Sequence, residues 1–208
     1  MQSKILPSDQ GRRSFIEEAR RTQIIDCAIQ AIAELGYAQA SLAQIAKRAG
    51  VSTGVISYYF AGKDDLIDQV VAQVYQTGEA FVRPRVEGKA TERESLLAFI
   101  AANVAFVIAY PGYMAAMVEI IASNRVNLAG DPRFHAATEV RRAPLREILE
   151  RGQADGDFRA FSVQVMADVI IEAIDMAAYR QVDERRYAAD LVDLFDHATR
   201  ASAQPPLE

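Results

Sequence analysis

Between Ser41 and Phe60 the chain reads Ser-Leu-Ala-Gln-Ile-Ala-Lys-Arg-Ala-Gly-Val-Ser-Thr-Gly-Val-Ile-Ser-Tyr-Tyr-Phe. The chemistry on offer is recognition rather than bond making. Hydroxyls, phenols and a glycine suit hydrogen bonds to phosphate oxygens and apolar contact with thymine methyls. If Ile45, Ala46, Ala49, Val51, Ile56 and Phe60 pack inward, then Thr53, Gly54, Val55, Ser57, Tyr58 and Tyr59 are left to face outward in whole or part. Gly54 is informative, because a glycine inside a helix costs about 1 kcal/mol relative to alanine. Close approach of the backbone to DNA would compensate, and relief of crowding in the turn is the alternative. Lys63, at the start of the following helix, can join its ammonium to free backbone N–H groups and hold a phosphate.

These residues need short helices to position them, and the spacing supplies them. Ile25, Ile29, Ile32 and Leu35 recur at three- and four-residue steps, and Gly36 then offers a left-handed stop. Ser41 is a suitable N-cap for a helix ending at Gly50, and Ser52 or Thr53 caps another over residues 53–59. A helix, a glycine-centred turn and a second helix make the helix-turn-helix plan, in which the first braces the second for the major groove. A fourth helix opens at Lys63, with Asp64 and Asp65 in its first turn where acids complement the helix dipole. Beyond Pro84 the pattern predicts helices over 91–110, 111–123, 132–153 with a kink or break at Pro144, 162–179 and 184–202. No alternating run bounded by hairpin signals is present, so the expected fold class is all-α. The expected domains are a loose arm over 1–13, a helix-turn-helix DNA-binding domain over 14–67, a helical ligand-binding and dimerisation domain over 68–202, and a disordered tail over 203–208.

Composition narrows the function. The chain has 208 residues, half of them hydrophobic, enough for a sizeable core. Its net charge of −5 hides a split. Residues 1–63 hold 8 basic and 5 acidic side chains, whereas 64–208 hold 15 and 23. The excess of cations therefore lies with the recognition segment, as binding to phosphate backbones requires. Arg12 and Arg13, with Arg20 and Arg21, could extend that footprint along a backbone or minor groove, and a solvated arm is the plainer alternative. The lone Cys27 makes no intrachain disulfide, and His135 and His197 stand far apart without Cys companions, so neither a metal nor a cofactor is expected. The first residues lack the apolar run of a signal peptide, which with the single cysteine points to the cytoplasm. The uncharged stretch between Glu94 and Glu119 is divided by Pro111-Gly112, and reads as a buried helix followed by a second helix rather than a membrane span. No phosphate-cradling glycine loop and no Gly-x-Ser-x-Gly elbow appears, so no enzyme is expected. A helical protein-interaction module, or an enzyme of unusual type without DNA binding, is the competing reading.

Gly36-Tyr37, Ser41, Ile45-Ala46, Ala49-Gly50-Val51-Ser52, Tyr58-Tyr59-Phe60 and Lys63-Asp64-Asp65-Leu66 together resemble the N-terminal domain of the TetR family of transcriptional regulators. The resemblance covers roughly residues 20–67. It implies an all-helical homodimer that binds a palindromic operator in double-stranded DNA, usually as a repressor, and is released by a small molecule. Position by position, Ser41, Thr53, Gly54, Ser57, Tyr58, Tyr59 and Lys63 fall where family members touch DNA. Val55 departs from the polar residue often found at its position, which puts hydrogen-bond readout there in doubt. The stretch Gly152-Gln-Ala-Asp-Gly-Asp-Phe158 and the turn Gly50–Tyr59 are similar also to the betaine-pathway repressor subgroup.

The acidic remainder holds the candidates for a ligand site. Phe99, Asn103, Phe106, Tyr110, Tyr113, Met114 and Met117 recur at helical spacing, a mix of aromatics, thioethers and one amide of the kind that lines small-molecule sites. Asn103, Glu119, Glu172 and Asp175 are the polar members able to orient a ligand. Carboxylates would favour a cation, whereas Arg141 and Arg142 would favour an anion, and both remain open. A dimer surface is expected on the last two helices, through Val163, Met166, Ile170 and Ile174 on one and Tyr187, Leu191, Leu194 and Phe195 on the other.

Overall fold

The computed structural model of the chain describes residues 7–123, 132–178 and 183–201, with backbone alone for 7–14, 132–138 and 184. In chain order its helices are α1 (Pro7–Leu35), α2 (Leu42–Ala49), α3 (Thr53–Tyr59), α4 (Lys63–Val86), α5 (Glu92–Ala109), α6 (Pro111–Ser123), α7 (Pro132–Ala154), α8 (Val163–Asp175) and α9 (Glu184–Thr199), with a 3₁₀ turn at Met176–Ala178. The described residues contain no strand, only an isolated bridge between Phe158 and Arg200. The fold is all-α, as expected.

Two expectations about helix ends need correction. Residues 7–13, expected as part of a loose arm, belong to α1, which begins at Pro7. Proline suits a first helical turn, because its fixed φ is already helical and its missing N–H is one that has no partner there. Residues 1–6 and the expected tail at 203–208 lie outside the described residues. Pro144, where a kink or a break was expected, does not break its helix, since α7 runs through it. Pro144 is exposed, so the carbonyl that loses its partner can face water.

By internal contacts the chain divides into two units. One comprises residues up to 73 together with 115–123 of α6. Its core joins Ile24, Ile25, Ile29 and Ile32 of α1 to Ile45 of α2, Ile56 of α3, Phe60, and Leu66 and Val70 of α4, all buried. The second comprises residues 74–114 and the described residues from 132 onward. Leu96, Ile100 and Val104 of α5, Leu145 and Leu149 of α7, Ile170 and Ile174 of α8, and Leu191 and Phe195 of α9 form its core. Among the described residues no single helix is long and apolar enough to cross a membrane, and α5 and α6 are bent by 91° at their junction.

The second core corrects the expected dimer surface. Ile170, Ile174, Leu191 and Phe195 are buried within their own subunit, and Val163, Met166 and Tyr187 pack partly against the same core. Of that set only Leu194 is exposed, at 56%. The apolar side chains left outside on α8 are Val165 and Val169, at 60% and 51%. The four-residue spacing identified an apolar stripe, but α8 is apolar on two sides, and only packing shows which side the subunit itself consumes.

The Gly152–Phe158 stretch is a structural clasp. A Cβ on Gly152 would sit 2.2 Å from the Phe158 ring, so only glycine admits that side chain. Gly156 takes φ +81 and Phe158 N–H donates to the Gly152 carbonyl. Asp157 accepts from the N–H groups of Glu92 and Arg93 at 3.0 and 3.3 Å, satisfying donors that the start of α5 would leave bare. Arg93 in turn pairs with Asp196 of α9 at 2.6 Å.

Candidate nucleic-acid interface

The recognition segment is held from below by its small apolar residues and at its ends by caps. Ser41 accepts from Gln44 N–H, and Gly50 closes α2 at φ +66, a conformation that residues with a Cβ rarely adopt. Ser52 accepts from Val55 N–H and opens α3. Each cap satisfies a donor that the first turn leaves unpaired, typically worth about 1 kcal/mol. The chain can therefore form two short helices that would be marginal alone.

Burial sorts the residues of α3. Ile56 and Phe60 are buried, while Thr53, Gly54, Ser57 and Tyr58 are exposed, Tyr58 at 73%. An exposed phenol of that size, held edge-on against Tyr59 with ring centres 5.0 Å apart, offers both a hydroxyl and an apolar face. Ser57 Oγ donates to the Thr53 carbonyl at 3.1 Å, so its lone pairs remain for an outside donor. A Cβ on Gly54 would meet nothing closer than Ser52 Oγ at 3.6 Å, an ordinary contact. Crowding inside the turn is thus not the reason for the glycine. Val55 and Tyr59 are half-buried, and Ser41 is exposed with its oxygen engaged in capping.

Lys63, expected to hold a phosphate, is tied by one of its three donors to the turn after α1. Its Nζ donates to the Tyr37 carbonyl at 2.7 Å and lies 4.3 Å from the centre of the Tyr37 ring. Burial draws its pKa down, with Asp64 opposing. Tyr37, whose role was missed at the sequence level, is fixed from its other side by Glu119, which accepts from Tyr37 N–H at 3.3 Å. The signal was Gly36-Tyr37 after a helix, but the long-range partner 82 positions away is invisible in it. Arg48 is tied to Glu34, and this hydrogen bond holds the Glu34 carboxyl below its ordinary value. Lys47 is exposed, whereas the side chains of Arg12 and Arg13 lie outside the described residues.

The residues proposed for a ligand do not gather in one place. Met117 and Glu119 belong to the N-terminal unit, where Met117 is buried. Glu172 is exposed on α8. Phe99 is plain core, while Phe106, Tyr110 and Tyr113 form a ladder of rings with centres 4.8 and 5.4 Å apart, beside the half-buried Met114. Asn103 and Asp175 are brought together by Arg141.

Residues 24–70 match the family described as bacterial regulatory proteins, tetR family. The chain is 42% identical over 89 residues to the HTH-type transcriptional regulator BetI 1 of Chromohalobacter salexigens, a match covering 42% of this chain and 44% of that protein. It therefore spans less than half of that relative. Across most of its length the fold is similar to the fatty acid degradation regulator FadR from Bacillus halodurans, with a TM-score of 0.77 at 22% identity, covering 85% of this chain and 94% of that one. It is similar also to the transcriptional regulator FadR from Bacillus subtilis in complex with stearoyl-CoA, with a TM-score of 0.70 at 23% identity, covering 83% and 96%. At these identities the solved structures speak for the fold alone. An exposed α3 on a buried brace and the match over residues 24–70 lead to one conclusion: residues 24–70 are similar to the tetR family of bacterial regulatory proteins, within an all-helical fold similar to that of the solved structures.

Proposed function

We infer that the protein is a transcriptional regulator that binds a palindromic operator as a homodimer, represses, and is released by a small molecule. The observation that carries this reading is the division of α3, with Thr53, Gly54, Ser57 and Tyr58 exposed above buried Ile56 and Phe60. Residues 14–67 take the role of DNA binding, and the helices after them the roles of sensing and dimerisation. The names of the matched relatives favour a regulator over an enzyme or an interaction module. Exposed Val165, Val169 and Leu194 support a dimer through the outer faces of α8 and α9, and a twofold axis would place two copies of α3 one helical turn of DNA apart. That a fold neighbour was solved with stearoyl-CoA supports an effector held among the helices of the C-terminal unit. Effector binding would shift the population of dimer geometries away from the one that spans the operator, and by linkage DNA would weaken effector binding equally. Such a regulator works in the cytoplasm, where its DNA is. With Arg48 spent on Glu34 and Lys63 anchored to Tyr37, non-specific affinity is low and binding depends on specific contacts.

The test is selection of bound fragments from genomic DNA followed by gel-shift titration at several salt concentrations. Sequence-specific, salt-sensitive binding of a dimer is expected, and failure to bind any fragment overturns the reading.

A further inference from the structure

Charges are buried only where each finds a partner, since an unpaired one forfeits its hydration. The C-terminal unit contains a half-buried set of this kind, in which the Asp175 and Asp168 side chains are 31% and 45% exposed. Arg141 of α7, with its side chain 17% exposed, gives Nη1 to Asp175 Oδ1 at 2.5 Å and Nε to Asn103 Oδ1 at 3.2 Å. Asn103, 5% exposed, gives Nδ2 to the Phe99 carbonyl at 2.9 Å, so its amide is fully oriented and its oxygen is committed to the arginine. Tyr75 of α4 shares these surroundings. Burial pushes its phenol pKa up, and its charged neighbours are Arg141, Asp175 and Arg142. Arg142 pairs with Asp168 at 3.3 Å.

One group in this set is left over. Among the described residues Arg141 Nη2 is buried without a hydrogen-bond partner. A guanidinium presents five donors in a rigid fork, so once Nη1 and Nε are fixed, the direction of Nη2 is fixed too. Buried donors of this kind are rare because each costs about what a hydrogen bond contributes, and one that persists calls for an acceptor.

The charge of the set says which acceptor. Arg141 with Asp175 and Arg142 with Asp168 sum to zero. An added carboxylate would leave a net negative charge in a half-buried set, and an added ammonium would face the cationic side of Arg141 while Asp175 is already neutralised. A neutral oxygen satisfies Nη2 and preserves the balance. The face of α5 that carries Asn103 also carries aromatic rings: Phe99, Asn103, Phe106 and Tyr110 lie at positions i, i+4, i+7 and i+11 of α5 and its end. The Phe106 and Tyr110 rings also meet Phe81, with centres 5.8 and 6.0 Å away.

We propose that Arg141 Nη2 is the polar anchor of the effector site, and that the effector is an uncharged molecule presenting a carbonyl-type oxygen on an apolar body. This rests on the reading of the chain as an effector-controlled regulator. It departs from both ligand classes that the sequence left open, the cation drawn by carboxylates and the anion drawn by arginines.

The experiment is calorimetric titration of the full chain, without DNA, with methyl ketones from hexanone to dodecanone and with the alkanoates and alkylammonium ions of matching length. Saturable binding of ketones is expected, with the charged analogues at least about 10-fold weaker, the ratio set by a hydrogen bond to a charged donor. Arg141→Lys keeps a cation for Asp175 but lacks the second branch of the fork, and should weaken the best ketone about 10-fold or more while leaving the thermal midpoint near that of the native chain. Should this variant unfold, the comparison of ketone with charged analogue on the native chain still decides. Equal or tighter binding of alkanoate or alkylammonium overturns the proposal, as does absence of binding by every ketone, or ketone binding indifferent to Arg141→Lys in a folded variant. Operator binding is measured separately on the same preparation. Failure here with intact operator binding therefore refutes the site and not the regulator.

Discussion

Replacing Gly54 by alanine separates the two reasons for which a glycine can stand in a recognition helix. In the free protein the new methyl would meet only Ser52 Oγ at 3.6 Å, so no clash opposes it. Alanine is about 1 kcal/mol better than glycine in a helix interior, and part of that arises from the smaller freedom of the unfolded chain. Position 54 is the second residue of the seven in α3, where only part of this advantage is realised. A gain of roughly 0.5–1 kcal/mol is expected, which in a chain of this size raises the thermal midpoint by about 1–4 °C. If α3 meets DNA as proposed, the same methyl comes between backbone and phosphate. Loss of one hydrogen bond per recognition helix costs about 1 kcal/mol, or about 2 kcal/mol for a dimer, which weakens binding about 30-fold. Thermal denaturation of the free protein and fluorescence anisotropy on the selected operator at one fixed salt concentration give both quantities. A variant that is more stable and binds as tightly as the native chain would refute the reasoning, because Gly54 would then have no function at the DNA surface.

Other perturbations test the frame around that surface. Gly152→Ala should destabilise the chain by roughly 2–4 kcal/mol in chemical denaturation, because the Cβ would lie 2.2 Å from the Phe158 ring and two backbone segments would have to separate; a loss below about 0.5 kcal/mol contradicts the clasp. Asp196 is held below its ordinary pKa, chiefly by its hydrogen bond from Arg93, so its contribution is present above the unfolded-state carboxylate range and is lost as pH falls through the depressed value. Asp196→Asn should therefore cost about 1–2 kcal/mol at neutral pH, with the difference from the native chain closing in acid; a constant difference across pH contradicts the ion pair. Val169→Glu leaves the core untouched and places a charge on the outer face of α8, so sedimentation should find monomers at micromolar concentration where the proposed dimer is expected of the native chain. Persistence of the dimer in this variant moves the interface elsewhere.

Much of the helix-turn-helix region was legible because its signals are local. A capping serine, a left-handed glycine and a spacing of small apolar residues act within a few positions, so Ser41, Gly50, Ser52, Ile56 and Phe60 have one consistent reading in sequence and in space. Lys63 was read less well. Its position at a helix start is local information, but its attachment to Tyr37 is a tertiary contact. The ligand candidates were legible only in part for the same reason. Glu119 and Asn103 lie on consecutive helices, yet one serves the turn after α1 and the other is buried against Arg141 of α7.

By itself the sequence determined an all-helical chain, a helix-turn-helix with a particular set of outward residues, and a split of charge that favours DNA at one end. Each of these follows from spacing along one helix or from composition, which need no partner. Tertiary structure alone decided which side of α8 the subunit consumes, why Gly152 must be glycine, and that Asp175 is neutralised while one nitrogen of Arg141 is left over. These depend on which helices meet, and a helix with apolar residues on two faces, or a carboxylate within reach of several arginines, carries no local mark of the neighbour it will have.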